Sequence, residues 1–164
     1  MRTVIGVMGG GAAEPATTAD ARHLGELIAN EGWVLLNGGR DCGVMRASAA
    51  GAREAGGLTV GILPDEDTTH AAPDIDIPIP TGMGDARNVI NVLASRVVIA
   101  MRGGAGTVSE VAHALKLGRP VVAIDFAELG PAFDPHRRAG RLIDVRTPED
   151  AIAAAKRFLA EEPQ

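Results

Sequence analysis

Five short apolar runs, each closed by a polar or turn-forming residue, recur along the chain at Thr3–Met8, Trp33–Asn37, Leu58–Leu63, Arg96–Met101 and Pro120–Asp125. Runs this short, apolar throughout rather than alternating, predict strands buried on both faces. Ile75–Ile79 and Leu142–Val145 carry the same signal more weakly. Between them lie longer segments of helical period, Thr18–Glu31, Val44–Ala55, Gly84–Ala94, Val108–Leu117 and Pro148–Ala160. Gly32 stands where the first helix needs a left-handed cap, and Thr147-Pro148-Glu149-Asp150 supplies a cap, an N1 proline and two first-turn acids for the last. Strand and helix alternating in this way predict an α/β fold, a Rossmann-like, doubly wound and mainly parallel sheet flanked by helices. Residues 1–164 fit a single nucleotide- or phosphate-binding domain of that kind. Phe126–Arg141 and Leu63–His70 read as loops.

Right-handed crossovers bring the carboxyl ends of parallel strands to one edge, so the loops that follow strands collect there. Four of them are rich in glycine: Gly9–Ala12, Gly38–Gly43, Thr81–Arg87 and Gly103–Thr107. The last is the most informative, because Arg102-Gly-Gly-Ala-Gly-Thr-Val-Ser-Glu110 runs from a strand through a glycine turn into a helix. Amides there point outward and the helix dipole presents its positive end, which suits an anion such as phosphate. Gly9, Gly10, Gly11, Gly38 and Gly39 would let a ligand lie against backbone, Gly103, Gly104, Ala105, Gly106 and Thr107 would hold its phosphate, and Arg87 and Arg102 would neutralise it. Arg40 shares that edge as a phosphate partner or a solvated side chain, while Asp41 and Asp85 read as turn residues.

Glu110 admits two readings. In a capping box, Thr107-x-x-Glu110, it would only satisfy a backbone N–H. Alternatively it faces the pocket with Arg87, since one helix down and one strand up returns the chain to the same edge. Arg87 would then lower the Glu110 pKa and hold the carboxylate ionised, and the two would be the catalytic pair of any hydrolase.

Other chemistries are disfavoured. Gly6-Val-Met-Gly-Gly-Gly11 lacks the G-x-G-x-x-G spacing and the second strand ends without a ribose-binding acid, which argues against NAD(P); no Walker loop is present. A net charge of −5, with Trp33, Phe126, Phe133 and Phe158 as the whole aromatic complement, argues against nucleic-acid binding. Cys42 is the lone cysteine and reads as inert, and His23, His70 and His113 lack metal-ligand spacing, so no metal site is expected. The basic run His136–Arg141 reads as a solvated or subunit-contact loop. Without a signal peptide or an apolar run long enough to span a bilayer, a cytoplasmic protein with no membrane partner is expected.

From about Val4 to Asp125 these motifs resemble the Lonely Guy superfamily, with its relatives the "possible lysine decarboxylase" proteins, the DprA-like group and the molybdenum-cofactor carrier proteins. The hallmark P-G-G-x-G-T-x-x-E is met by Arg102–Glu110 with Arg102 in place of the proline. Gly84-Asp-Ala-Arg87-Asn88 matches the upstream M-x-x-R-K element, keeping the arginine and replacing the lysine by Asn88. Gly38-Gly39 and Gly43-Val44-Met45 match a third pattern. Full-motif members resemble phosphoribohydrolases that release base and ribose 5-phosphate from nucleoside 5′-monophosphates. The departures are closer to the carrier branch, which implies binding of a phosphorylated heterocycle, best taken as molybdenum cofactor or a nucleotide, with no other cofactor required. The resemblance also implies a homodimer or homotetramer.

Overall fold

The computed structural model describes residues 1–126 and 129–161. Seven strands form one sheet: β1 (Val4–Met8), β2 (Val34–Asn37), β3 (Leu58–Leu63), β4 (Ile77–Pro80), β5 (Val97–Met101), β6 (Val121–Ile124) and β7 (Leu142–Val145). Their order is β4-β3-β2-β1-β5-β6-β7 and every pairing is parallel. The α/β, Rossmann-like expectation therefore holds, with a sheet that is wholly rather than mainly parallel among the described residues. Chain order runs outward in both directions from the β1–β5 pair, so the loops after these two strands diverge and leave a crevice between them.

Alternation along the buried strands feeds two separate cores. Ile5, Val7, Leu35, Val97, Ile99 and Met101 pack against α1 (Pro15–Asn30), α2 (Gly43–Glu54) and α6 (Pro148–Glu161). Met8, Leu36, Val98 and Ala100 face the other way, onto α3 (Asn88–Ala94) and α4 (Ala105–Lys116). Each fully buried Ile, Leu or Val contributes about 1.5–3 kcal/mol relative to exposure. A strand slip of one residue would exchange the two sets, which fixes the register.

Several boundaries differ from the sequence pattern for local reasons. The first helix starts at Pro15, three residues before Thr18, because a proline at N1 lacks only an N–H that has no helical acceptor there. The predicted Gly84–Ala94 helix is a 3₁₀ turn over Gly84–Arg87 followed by α3, with Gly84 at φ +55 breaking regular helix geometry. The weaker strand signal settles at Ile77–Pro80 on the sheet edge, the position where Pro78 and Pro80 are tolerated. Within the expected Phe126–Arg141 loop sit a 3₁₀ turn at Pro131–Phe133 and the short α5 (Asp134–Arg138); residues 127 and 128 lie outside the described residues. The basic run there is partly structural: Arg137 forks onto Asp144 at 2.6 and 3.1 Å and donates to the Leu129 carbonyl. Gly32 adopts φ +71, the left-handed cap expected after α1. Among the described residues no helix is long and apolar enough to cross a membrane.

Candidate functional site

A cleft of about 320 Å3 opens in the β1–β5 crevice. Its floor is the end of β1, and its walls are four segments: Gly9–Gly11 after β1, Gly38 and Arg40 after β2, Asp85 and Arg87 of the 3₁₀ turn with Asn88 at the start of α3, and the start of α4. Backbone hydrogen bonds pin the walls together. The Gly10 N–H donates to the Arg102 carbonyl at 3.2 Å, and the Val44 N–H donates to the Gly10 carbonyl at 3.1 Å.

The α4 ladder begins with the Val108 N–H donating to the Gly104 carbonyl at 3.1 Å. The N–H groups of Ala105, Gly106 and Thr107 therefore have no acceptor inside the helix, and no side chain caps it. Because α4 starts at Ala105 rather than Val108, Thr107 lies within the first turn instead of at its cap, and the capping box does not form. Glu110 falls in the second turn, on the inner face and only 6% exposed. Its Oε1 accepts from Asn91 Nδ2 at 3.0 Å and lies 3.8 Å from Arg87 Nη1.

Arg87 reaches Glu110 because the 3₁₀ turn aims its side chain inward, over Gly38. There Nη2 meets the Gly38 carbonyl at 3.5 Å, and Nη1 donates to the Asn88 side-chain oxygen. The absence of a side chain at Gly38 leaves room for this approach: a Cβ would stand 2.6 Å from Arg87 Nη2 and 2.7 Å from Met45 Sδ, and both side chains would have to shift. Arg87 Nε and Asn91 Oδ1 are both buried without a hydrogen-bond partner.

Burial sets the electrostatics of the pair. It pushes the Glu110 carboxyl above the usual carboxylate range, with the Asn91 hydrogen bond and the Arg87 charge pulling it back only in part. It likewise holds Arg87 below its ordinary value, against the opposing pull of Glu110. The expectation that Arg87 lowers the Glu110 pKa is thus half right: the attraction is there, but at 3.8 Å it is weaker than desolvation. A bound anion would further favour the charged arginine.

Of the residues read from sequence, Gly9, Gly10, Gly11, Gly38, Arg87, Gly104, Gly106, Thr107 and Glu110 line this cleft together. Gly39, Arg102, Gly103 and Ala105 do not. Gly39 has φ +75 and lies against Gly61, where a Cβ would be 3.0 Å from its Cα. A Cβ on Gly103 would strike the Thr107 hydroxyl and stand 2.8 Å from the Gly10 nitrogen, so this glycine lets two loops touch. Arg102 is exposed and extends toward Asp125 beyond β6, at 3.9 Å. Ala105 is exposed outside the lining. The wall also includes Arg40, Cys42, Met45, Pro64, Asp85 and Asn88. Arg40 is clamped by Asp65, through Nε at 3.1 Å and Nη2 at 2.6 Å. Among the described residues no group of three or more His, Cys, Asp or Glu gathers as a metal site.

A Rossmann-like domain with a glycine-lined cleft at its switch point, backed by a buried Arg–Glu pair, is the class these features define. The chain belongs to the SLOG cluster4 family, whose family model matches residues 2–152. It is similar to the molybdenum cofactor binding protein of the phototrophic bacterium Rippkaea orientalis, with a TM-score of 0.91 and 45% identity over 97% of this chain and 98% of that one. The molybdenum cofactor carrier protein of Chlamydomonas reinhardtii superposes with a TM-score of 0.89 at 40% identity, covering 98% of this chain and all of that one. The cytokinin riboside 5′-monophosphate phosphoribohydrolase of Mycobacterium tuberculosis is 34% identical over 113 residues, 64% of this chain but 60% of the enzyme's length. The superfamily read from the motifs is thus the one to which the chain is related.

Proposed function

We propose that the protein binds and carries a small phosphorylated heterocycle, with molybdenum cofactor the foremost candidate cargo. The observation that carries this reading is the open start of α4: Gly104 and Gly106 have nothing within 4 Å of where a Cβ would stand, beside three N–H groups without helical acceptors. Phosphate oxygens would accept from Gly106 and Thr107 at the positive end of the helix. Arg87 would supply the countercharge, and the backbone at Gly9–Gly11 would lie against the ring system. The two solved relatives named for this cofactor, each matched over nearly its whole length, support the same cargo. A homodimer or homotetramer without a nucleic-acid or membrane partner completes the proposal.

Glu110 favours a second reading, hydrolysis of a nucleoside 5′-monophosphate at the glycosidic carbon. A buried carboxylate beside Arg87 would stabilise an oxocarbenium-like transition state and orient water, once ligand binding keeps it ionised. Asn88, standing where the hydrolase motif has lysine, weighs against that activity.

One pair of measurements separates the readings: calorimetric titration with molybdenum cofactor, and ribose 5-phosphate release from a panel of nucleoside 5′-monophosphates, each with Glu110→Ala alongside. Saturable cofactor binding without turnover is the expected result. Turnover that is lost in Glu110→Ala would make the protein a phosphoribohydrolase instead, and absence of both would end both readings.

A further inference from the structure

Two carboxylates line the cleft, and only one of them is committed. Glu110 is held by Asn91 and faces Arg87. Asp85, an exposed residue bordering the cleft in the same 3₁₀ turn as Arg87, has no hydrogen bond or ion pair to its carboxylate among the described residues, and it does not cap its own turn. It is nonetheless close enough to act electrostatically on Arg87, Arg40 and Glu110. A free carboxylate is a liability in a pocket meant only for an anion, because it repels the phosphate that the α4 amides attract. It becomes an asset if the far end of the same ligand presents N–H donors.

We infer that Asp85 is the specificity residue of this cleft, accepting the paired N–H and NH2 donors of a 2-amino-4-oxopyrimidine edge, the edge shared by pterins and guanine. This inference rests on the carrier reading above and narrows it to one class of ring. The donors of that edge lie side by side, so a single carboxylate accepts both, one per oxygen. Adenine offers no such pair and hypoxanthine offers the ring N–H alone. Arg40, turned toward Asp65, leaves Asp85 free for the ligand. The cleft volume of about 320 Å3 suits one bicyclic ring with its phosphorylated arm.

The test is titration calorimetry of the full chain with GMP, IMP and AMP, for the native protein and for Asp85→Asn. Losing one charge-assisted hydrogen bond of the pair should weaken binding about tenfold. The native protein should therefore prefer GMP over AMP by at least about tenfold, with IMP between them. Asp85→Asn should erase the preference by weakening GMP while leaving AMP unchanged or slightly tighter. Equal affinities in the native protein would overturn the inference. So would an Asp85→Asn variant that binds all three more tightly by the same factor, which is the signature of charge balance alone. Absence of GMP binding by protein that still binds molybdenum cofactor would likewise overturn this inference alone, whereas failure to bind the cofactor as well would end the carrier reading and this one with it; binding without discrimination removes only the role of Asp85.

Discussion

Glycine does opposite work in two regions of this molecule. Where α1 crosses α2, Gly25 and Gly51 are closed in. A Cβ on Gly25 would run into the Ser48 carbonyl and stand 2.9 Å from the Ala52 nitrogen, and one on Gly51 would run into the Arg22 carbonyl oxygen, 2.7 Å from its carbon. The helices are close because these side chains are missing. At the start of α4, Gly104 and Gly106 stand in open space, and Gly104 has an ordinary φ of −87. Neither packing nor backbone strain accounts for glycine there. Space kept clear in front of helix amides is what the proposed ligand would need, so the contrast divides glycines that shape the fold from glycines that would shape the proposed site.

Reciprocal substitutions break this comparison most directly. Gly51→Ala should overpack the α1–α2 contact at a cost of about 3 kcal/mol, visible in a thermal melt as a loss of roughly 6–12 °C. Gly106→Ala should leave stability unchanged or raise it by about 0.5–1 kcal/mol, since alanine is the better helix former, yet weaken binding of a phosphorylated ligand about tenfold. Equal melting losses in both variants would erase the distinction, and unaltered ligand affinity in Gly106→Ala would detach this glycine from the site.

Glu110 sharpens the same comparison, because the site carries an unfavourable term that the α1–α2 face lacks. Burial raises the Glu110 pKa in the folded state above its unfolded value. Between those two values the native state binds more protons than the unfolded state, so stability rises as pH falls through the window and is lower above it. Glu110→Gln keeps the shape and an acceptor for Asn91 without the charge. Relative to this variant, native protein should gain stability as pH falls through the interval between the folded and the unfolded Glu110 pKa. A difference in melting temperature that stays constant over that range would show that the carboxylate is not desolvated as its surroundings imply.

Most of this architecture is legible in the sequence, and the exceptions share a cause. Buried parallel strands announce themselves because both faces must be apolar, so the runs at Val97–Met101 and Val121–Ile124 fall close to their expected places. The Arg87–Glu110 pairing also follows from chain length and direction alone. Sequence does not distinguish Gly39 and Gly103, which face other backbone, from Gly104 and Gly106, which face the cleft, since all four lie in the same kind of motif. Asp85 reads as a turn residue and is one, in the 3₁₀ turn that Gly84 opens at φ +55; that it also borders the cleft depends on that geometry. Arg102 sits inside the hallmark motif, but its length lets it leave the cleft for Asp125. Side-chain direction at loop ends is set by tertiary neighbours, and that is where composition stops being informative.

The smallest expected effect belongs to the packed face. His23 on α1 shares hydrogen bonds with Glu149 at the start of α6, at 2.7 Å, and with Glu26 one turn along, at 3.2 Å. The Glu149 bond, then the Glu26 bond, raises the His23 pKa above 6.5, with burial opposing weakly; the same contact helps hold Glu149 below its usual range. The imidazolium is therefore favoured by folding, and its contribution is fully present below the unfolded pKa and lost as pH rises through the folded one. The side chain is 42% exposed, so solvent screening keeps this tie between α1 and α6 weak. Native protein should outlast His23→Gln by a small margin below the unfolded imidazole pKa and lose the advantage as pH rises through the folded one. Glu110 titrates in the same sense from a lower starting pKa, so the two single variants assign the slope. A margin for His23→Gln that is the same below and above those two pKa values would locate the tie in van der Waals contact rather than charge.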